Sequence, residues 1–226
     1  MKRLILFIIT ITSVTFCQSF KAEKVTGSVK VLDPNDKWVE VKEGTILSSN
    51  SFIVANKKSS VKISGEGISF TLRESSALPV SSIKKMTIDE LLLALAMEDM
   101  MNAPREKEKN NGKTTAVYGT KEEGDVKEII QPDDFGLKRI NGAVQLAENG
   151  FKESAVITAK ETFRKYPSTK EKAQYRIYFA NILYEFGLYE EALDEYNSIK
   201  QLTLSGKEKS EIGEKISLLN KKLVNN

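Results

Sequence analysis

Between Val25 and Val80, apolar and polar residues alternate in runs too short for helices, each stopped by turn residues; beyond Asp134 the apolar spacing becomes helical. A two-residue period buries one face of a strand, and a 3.6-residue period buries one stripe of a helix. The change of period therefore divides the chain into a β part and an α part. Ser28 to Leu32 sets Val29 and Val31 against Ser28 and Lys30, and Asp33-Pro34-Asn35-Asp36 supplies a turn. Trp38, Val39 and Val41 form the return strand, and Lys42-Glu43-Gly44 turns again with Gly44 free to take positive φ. Phe52 to Ala55, Ser60 to Ile63 and Ile68 to Leu72 are three further strands. Short strands spaced by about 8 to 12 residues predict a sandwich or barrel. Trp38, the only tryptophan, is expected as a core anchor, with a sugar-stacking platform as the alternative.

Thr87 to Met101 interrupts this pattern. Thr87 and Glu90 have the spacing of a capping box, and Met86 opposite Leu91 that of a hydrophobic staple. Ile88, Leu91, Leu92 and Leu95 share one helix face, while Leu93, Met97 and Met100 occupy much of the opposite one. A helix apolar nearly all round wants burial. Packing on the β module is the expectation, and docking with a partner is the alternative. Asn102 to Gly112 reads as a charged connection and 121–134 as a linker.

The first 19 residues have the layout of a secretory signal peptide: Lys2 and Arg3, an apolar run from Leu4 to about Val14, then small polar residues. The run is too short for a membrane span of about 20 residues. Val14-Thr15-Phe16-Cys17 resembles a bacterial lipobox apart from Phe16, which stands where a small residue is usual; on that reading Cys17 carries a lipid anchor. The expected location is the periplasm or the cell exterior, with no membrane span in the mature chain.

Composition narrows the chemistry. The chain has no histidine, and its single cysteine is Cys17, so hydrolase triads that use histidine, thiolate metal clusters and internal disulfides are excluded. No catalytic, cofactor-binding or metal-ligating residue is expected, and the protein is not expected to be an enzyme. Removing Lys2 and Arg3 from 34 basic residues leaves 32 against 31 acidic ones. That balance argues against nucleic acid as a partner. Gly112-Lys113-Thr114 lacks the glycine a phosphate loop needs at Lys107, and Ser81-Ser82-Ile83-Lys84 lacks the companion motifs of a serine acyl-enzyme.

Gly27-Ser28-Val29-Lys30-Val31, Trp38 to Leu47, Phe52-Ile53-Val54 and Ser59 to Ile63 together resemble the FecR-like domain, with Val41 where a leucine is usual. Thr114 to Thr120 is similar to that family's closing V-x-G-T segment, with Tyr118 where an arginine is common. The resemblance implies a FecR-like β domain over 25–120 with its helical insertion at 87–101.

From 135 to 223 the sequence repeats itself. Ala143, Gly150, Ala155, Ala159 and Pro167 form one set, and Ala180, Gly187, Ala192 and Tyr196 a second, 37 positions on. These residues, and Gly187-Leu188-Tyr189-Glu190-Glu191-Ala192 above all, resemble the tetratricopeptide repeat, whose period is about 34. Lys152 stands where the aromatic of the motif would be, and the extra length is expected around Ser168 to Tyr175. Ile212, Ile216, Leu219 and Leu223 mark a capping helix. The resemblance implies a partner-binding groove including Ile140, Val144, Ile177, Asn181 and Tyr184; the same residues also suit a core.

The expected fold is thus multidomain α+β: a small all-β module with an inserted helix, then an all-α helical array. The expected function is a non-enzymatic exported scaffold binding envelope proteins. A β domain that binds cell-wall glycan is the alternative, and an envelope signalling component is a third reading.

Overall fold

The computed structural model describes residues 19–33, 37–102 and 132–224. The leader with Cys17, most of the charged connection and the expected closing strand at Thr114 to Thr120 lie outside the described residues. Eight strands come first: β1 (Ser19–Thr26), β2 (Val29–Leu32), β3 (Trp38–Glu40), β4 (Ile46–Ser48), β5 (Phe52–Ala55), β6 (Ser60–Gly65), β7 (Ile68–Leu72) and β8 (Ser76–Pro79). They form two four-stranded antiparallel sheets, in the orders β4-β1-β6-β7 and β3-β2-β5-β8. Helices follow, giving a mixed α+β layout.

Alternation explains most of the strands. Val29 and Val31 of β2 and Val61 and Ile63 of β6 are buried, while Lys30 and Lys62 point to solvent. Glu66 and Gly67, both at positive φ, close the β6–β7 hairpin opposite the pair Gly65 and Ile68. That is the backbone a two-residue I′ loop requires. Gly44 does take positive φ, at 88°.

Three strands were not expected from the pattern. β1 begins ahead of Val25 and buries Phe20 and Ala22, but an irregularity between Ala22 and Lys24 breaks its period. β4 is only three residues long. β8 is buried on both faces, as is β5 from Ile53 to Ala55, because a helix covers their outer side.

Trp38 corrects an expectation. It is no core anchor: β3 is a short edge strand whose three residues are all exposed, and Val41 just beyond it takes the buried position.

The helices are α1 (Ile88–Asn102), α2 (Pro132–Glu148), α3 (Lys152–Lys165), α4 (Pro167–Lys170), α5 (Ala173–Glu185), α6 (Tyr189–Ile199) and α7 (Gly206–Val224). α2 takes in the end of the expected linker, because a proline in the first turn suits a helix start. α2 pairs with α3, α5 with α6, and α7 packs on α6. The short α4 holds the extra length of the first repeat. Both pairs turn the same corner. Phe151 N–H donates to Leu146 O and Gly150 N–H to Ala147 O; 37 positions on, Leu188 donates to Leu183 O and Gly187 to Tyr184 O. These are two Schellman motifs, each with its glycine at positive φ. Ala143, Ala155, Ala159, Ala180 and Ala192 are all fully buried where helices meet.

The sheets and helices share one hydrophobic core. α2 lies on β8, and a Cβ on Gly142 would collide with the Ala77 carbonyl, so glycine is needed for that approach. Polar groups fix the contact. Asn141 donates to Ser75 O at 2.9 Å, and Gln145 accepts from Arg73 N–H at 2.6 Å and donates to Ser76 Oγ at 2.6 Å.

Candidate interaction surface

α1 is the element whose sequence and placement agree least. Its start is built as expected: Thr87 N–H donates to Glu90 Oε2 at 2.8 Å and Glu90 N–H to Thr87 Oγ1 at 3.2 Å. The bonds from Thr87 hold the Glu90 carboxyl below its usual range. Its principal packing partner is α3 rather than the strands. Leu91 and Leu95 face inward, and Glu98 is closed on Arg164 through two bonds of 2.8 and 3.2 Å. Hydrogen bonding to Glu98 raises the Arg164 guanidinium above its ordinary value. This two-point clamp ties the last turn of α1 to α3.

The opposite face is left in solvent. Leu93 is 65% exposed, Met97 56%, Met100 78% and Met101 55%. Their spacing, i, i+4, i+7 and i+8, makes one continuous stripe. Ala94, next to that stripe, lines a groove of about 260 Å³ whose other walls include Pro79, Met86 and Ile157. Lys84, Glu161 and several serine and threonine side chains also line the groove, so it is a mixed slot beside the stripe. Flexible methionine side chains suit contact with more than one shape of partner.

A second cleft, of about 320 Å³, opens between the end of α1 and helices α3 to α6. Asp99 and Lys170 line it beside Lys160, Arg164, Arg176 and Glu195, and the last four are used across helix interfaces. Glu195 accepts from Arg176 Nε at 2.6 Å and from Lys160 Nζ at 2.9 Å, and Arg176 also donates to Ser198 Oγ at 2.9 Å. Burial pushes the Glu195 carboxyl up, but the Lys160 and Arg176 charges outweigh it and hold the group below its ordinary value. Such an arrangement locks helices together; it sets no nucleophile beside a base. Among the described residues no group of histidine, cysteine, aspartate or glutamate side chains has a metal-holding arrangement, and no helix is long and apolar enough to cross a membrane.

The five groove candidates do not come together on one open face. Ile140 and Ile177 are buried core residues, and Val144 is packed against the core. Asn181 accepts from Tyr196 Oη at 2.5 Å and donates to Glu211 of α7 at 3.3 Å. Burial pushes the Tyr196 hydroxyl far up, so it stays a donor to Asn181. Tyr184 lies against Tyr189 and beneath Lys215 of α7, 4.3 Å from its ring centre. Asn181 and Tyr184 are thus both held by side chains of α7. Trp38 has no ring against it among the described residues.

Two buried arginines escaped the sequence reading. Arg139 and Arg176 stand 37 positions apart, one in each repeat, and both reach the second helix of their pair. Arg139 Nη2 lies 3.1 Å from Glu161, yet neither its Nε nor its Nη2 makes a hydrogen bond among the described residues. The guanidinium instead sits over the rings of Phe52 and Tyr166, at 5.2 and 5.8 Å. The repeat period would have paired the two arginines, but burial of a charge is not written in spacing.

The chain matches no protein-family model, no curated protein and no solved structure.

Proposed function

We propose that this chain is a non-enzymatic exported protein that scaffolds other envelope proteins. The observation that carries the reading is the Leu93, Met97, Met100 and Met101 stripe: a short, well-capped helix anchored by one face and leaving its other apolar face in water. An exposed apolar patch of this kind on a well-packed chain is what an interaction site looks like. The layout of the first 19 residues supports export to the periplasm or beyond, and a Cys17 anchor would hold the scaffold at a membrane surface. The resemblances to the FecR-like domain and the tetratricopeptide repeat support the same class, and the two matched Schellman corners support the repeat. The reading needs no cofactor or metal.

A glycan-binding function draws on Trp38, 38% exposed on an edge strand. A single ring offers one stacking surface, whereas the α1 stripe sets four exposed apolar side chains on one helix face, so the protein-binding reading leads.

Photo-crosslinking in the envelope separates the two. A benzophenone side chain placed at Met100 is expected to trap protein adducts, and one placed at Trp38 or at the outward Lys62 is not. Recovery of cell-wall fragments at Trp38, with no adduct at Met100, would overturn the reading.

A further inference from the structure

We propose that Met97, Met100 and Met101 form a thioether site for a soft monovalent cation, copper(I) above all; this goes beyond the protein-binding reading and does not need it. Spacing brings the three together. Residues three and four apart on a helix are neighbours, with about 5 to 6 Å between their Cβ atoms, and Met100 and Met101 lie at i+3 and i+4 from Met97. A methionine side chain is unbranched and swings freely about its bonds, so three sulfurs rooted on one turn can close on one ion. The turn itself is fixed. Glu98, between them in sequence, is buried and held by Arg164 through bonds of 2.8 and 3.2 Å. A helix anchored in this way carries a site more precisely than a loop does.

The distribution of methionine points the same way. Of the five in the chain, Met1 lies in the leader, Met86 just ahead of α1, and the other three between positions 97 and 101. None of the four described methionines belongs to the buried core, where this residue ordinarily serves as an apolar filler. Met97, Met100 and Met101 are instead more than half exposed, so an ion can reach their sulfurs from solvent. They stand at the negative end of the helix dipole, and no lysine or arginine occupies the last turn of α1. A cation is favoured there, and no side chain of the helix supplies one.

The donor set selects the ion. Thioether sulfur is a soft ligand that suits copper(I), whereas magnesium and calcium take oxygen and zinc takes thiolate, imidazole or carboxylate. No carboxylate completes a hard site: Glu98 is closed on Arg164, and Asp99 lines the cleft on another side of α1 with Lys160 and Lys170. The chain has no imidazole, and its one thiol is Cys17.

Calorimetric titration of silver(I), a redox-stable stand-in for copper(I), into the full chain carrying Cys17→Ser tests the proposal in chloride-free buffer. Silver is expected to bind in a single equivalent and zinc(II) is not. Met97→Leu/Met100→Leu/Met101→Leu should lose the silver while far-UV circular dichroism stays unchanged. Leucine keeps the stripe apolar, so this variant removes sulfur without removing a surface for protein, which photo-crosslinking reads separately. With methionine labelled at its ε-methyl carbon, the signals of Met97, Met100 and Met101 should shift on adding silver and that of Met86 should not, a readout that needs no change in α1. Copper(I), kept reduced with ascorbate under nitrogen, should displace silver at the same methyls. Silver retained by the triple variant, shifts confined to Met1 or Met86, or zinc bound at the same three methyls would overturn the proposal. So would a silver-induced dimer with one ion per two chains, because the site would then be shared between copies.

Discussion

The pair α2/α3 and the pair α5/α6 turn identical corners 37 positions apart, yet one leans on a sheet and the other on a helix. Gly142 in the first pair corresponds to Phe179 in the second. Gly142 is pressed on the backbone of β8, while Phe179 fills a space between Phe163 and Tyr178, edge-on to both rings. Gln145, which binds β8, corresponds to the buried Ile182. The repeat thus supplies a rigid corner and a helix spacing, and single positions on the outer faces decide what each pair is mounted on.

Exchanging those positions gives the largest expected effect. Gly142→Phe puts into the first pair what the second one carries, and the ring has only the Ala77 carbonyl to displace. A loss of about 4 kcal/mol or more is expected, because backbone cannot repack around it as side chains do. Urea denaturation measures the loss, and faster amide exchange in β8 locates it. A loss below about 1 kcal/mol would mean that α2 does not depend on close seating against the sheet.

The two arginines sharpen the comparison at intermediate size. Arg176→Met leaves Glu195 buried with Lys160 alone, and breaking a buried pair from one side costs about 3 kcal/mol or more. Arg139→Met removes ring contacts and an angled ion pair, but Glu161 keeps Lys165 and is a quarter exposed, so about 1 to 2 kcal/mol is expected. The pH dependence should separate them further. Because the folded Glu195 carboxyl is held below the ordinary 4.5, its contribution is present above that value and is lost as pH falls through the lower folded one. Against burial, Lys165 and Arg139 likewise hold the Glu161 carboxyl down, so urea midpoints followed from about pH 7 down to about pH 3 should fall for the unaltered chain, a little less steeply for Arg139→Met, where Lys165 remains, and least steeply for Arg176→Met. Equal costs and parallel pH curves would show that the two sites are energetically alike.

The same contrast shows what the sequence could reveal. The repeat period, the small residues at helix contacts, both corner glycines and five of the strands follow from spacing and turn chemistry, which act locally. β1 escaped because the irregularity after Ala22 breaks its alternation and charged residues fill its outer face. β8 escaped because a strand buried on both faces carries no alternation at all. The even apolarity of α1 called for burial on every side, and the fold buries one side through Leu91 and Leu95. The choice of side lies in α3, whose Arg164 holds Glu98, a contact between residues 66 apart in sequence. Nothing in local spacing encodes that. Asn181 and Tyr184 meet α7 for a related reason, through Glu211 and Lys215, contacts that local spacing does not encode either.

The smallest expected effect concerns Lys152, where the first pair lacks the aromatic of the second. Lys152 Nζ donates to Glu185 at 2.6 Å, and the equivalent Tyr189 accepts from Lys222 Nζ at 2.9 Å. Each contact spans 33 residues, so the register between a pair and the helix that follows it is the same, although the chemistry differs. α7 therefore sits on α6 as the first helix of a third pair would. Lys152→Tyr alone would set Glu185 against a ring whose face is negative. Lys152→Tyr with Glu185→Lys would instead copy the Tyr189–Lys222 contact into the first position. Both side chains are largely solvated, so thermal unfolding of the single variant should shift only slightly and the double variant should return to the starting midpoint. Recovery by the double variant would show that the repeat register is carried by position rather than by residue type. A double variant less stable than the single one would break the correspondence between α5 and α7 on which the capping assignment stands.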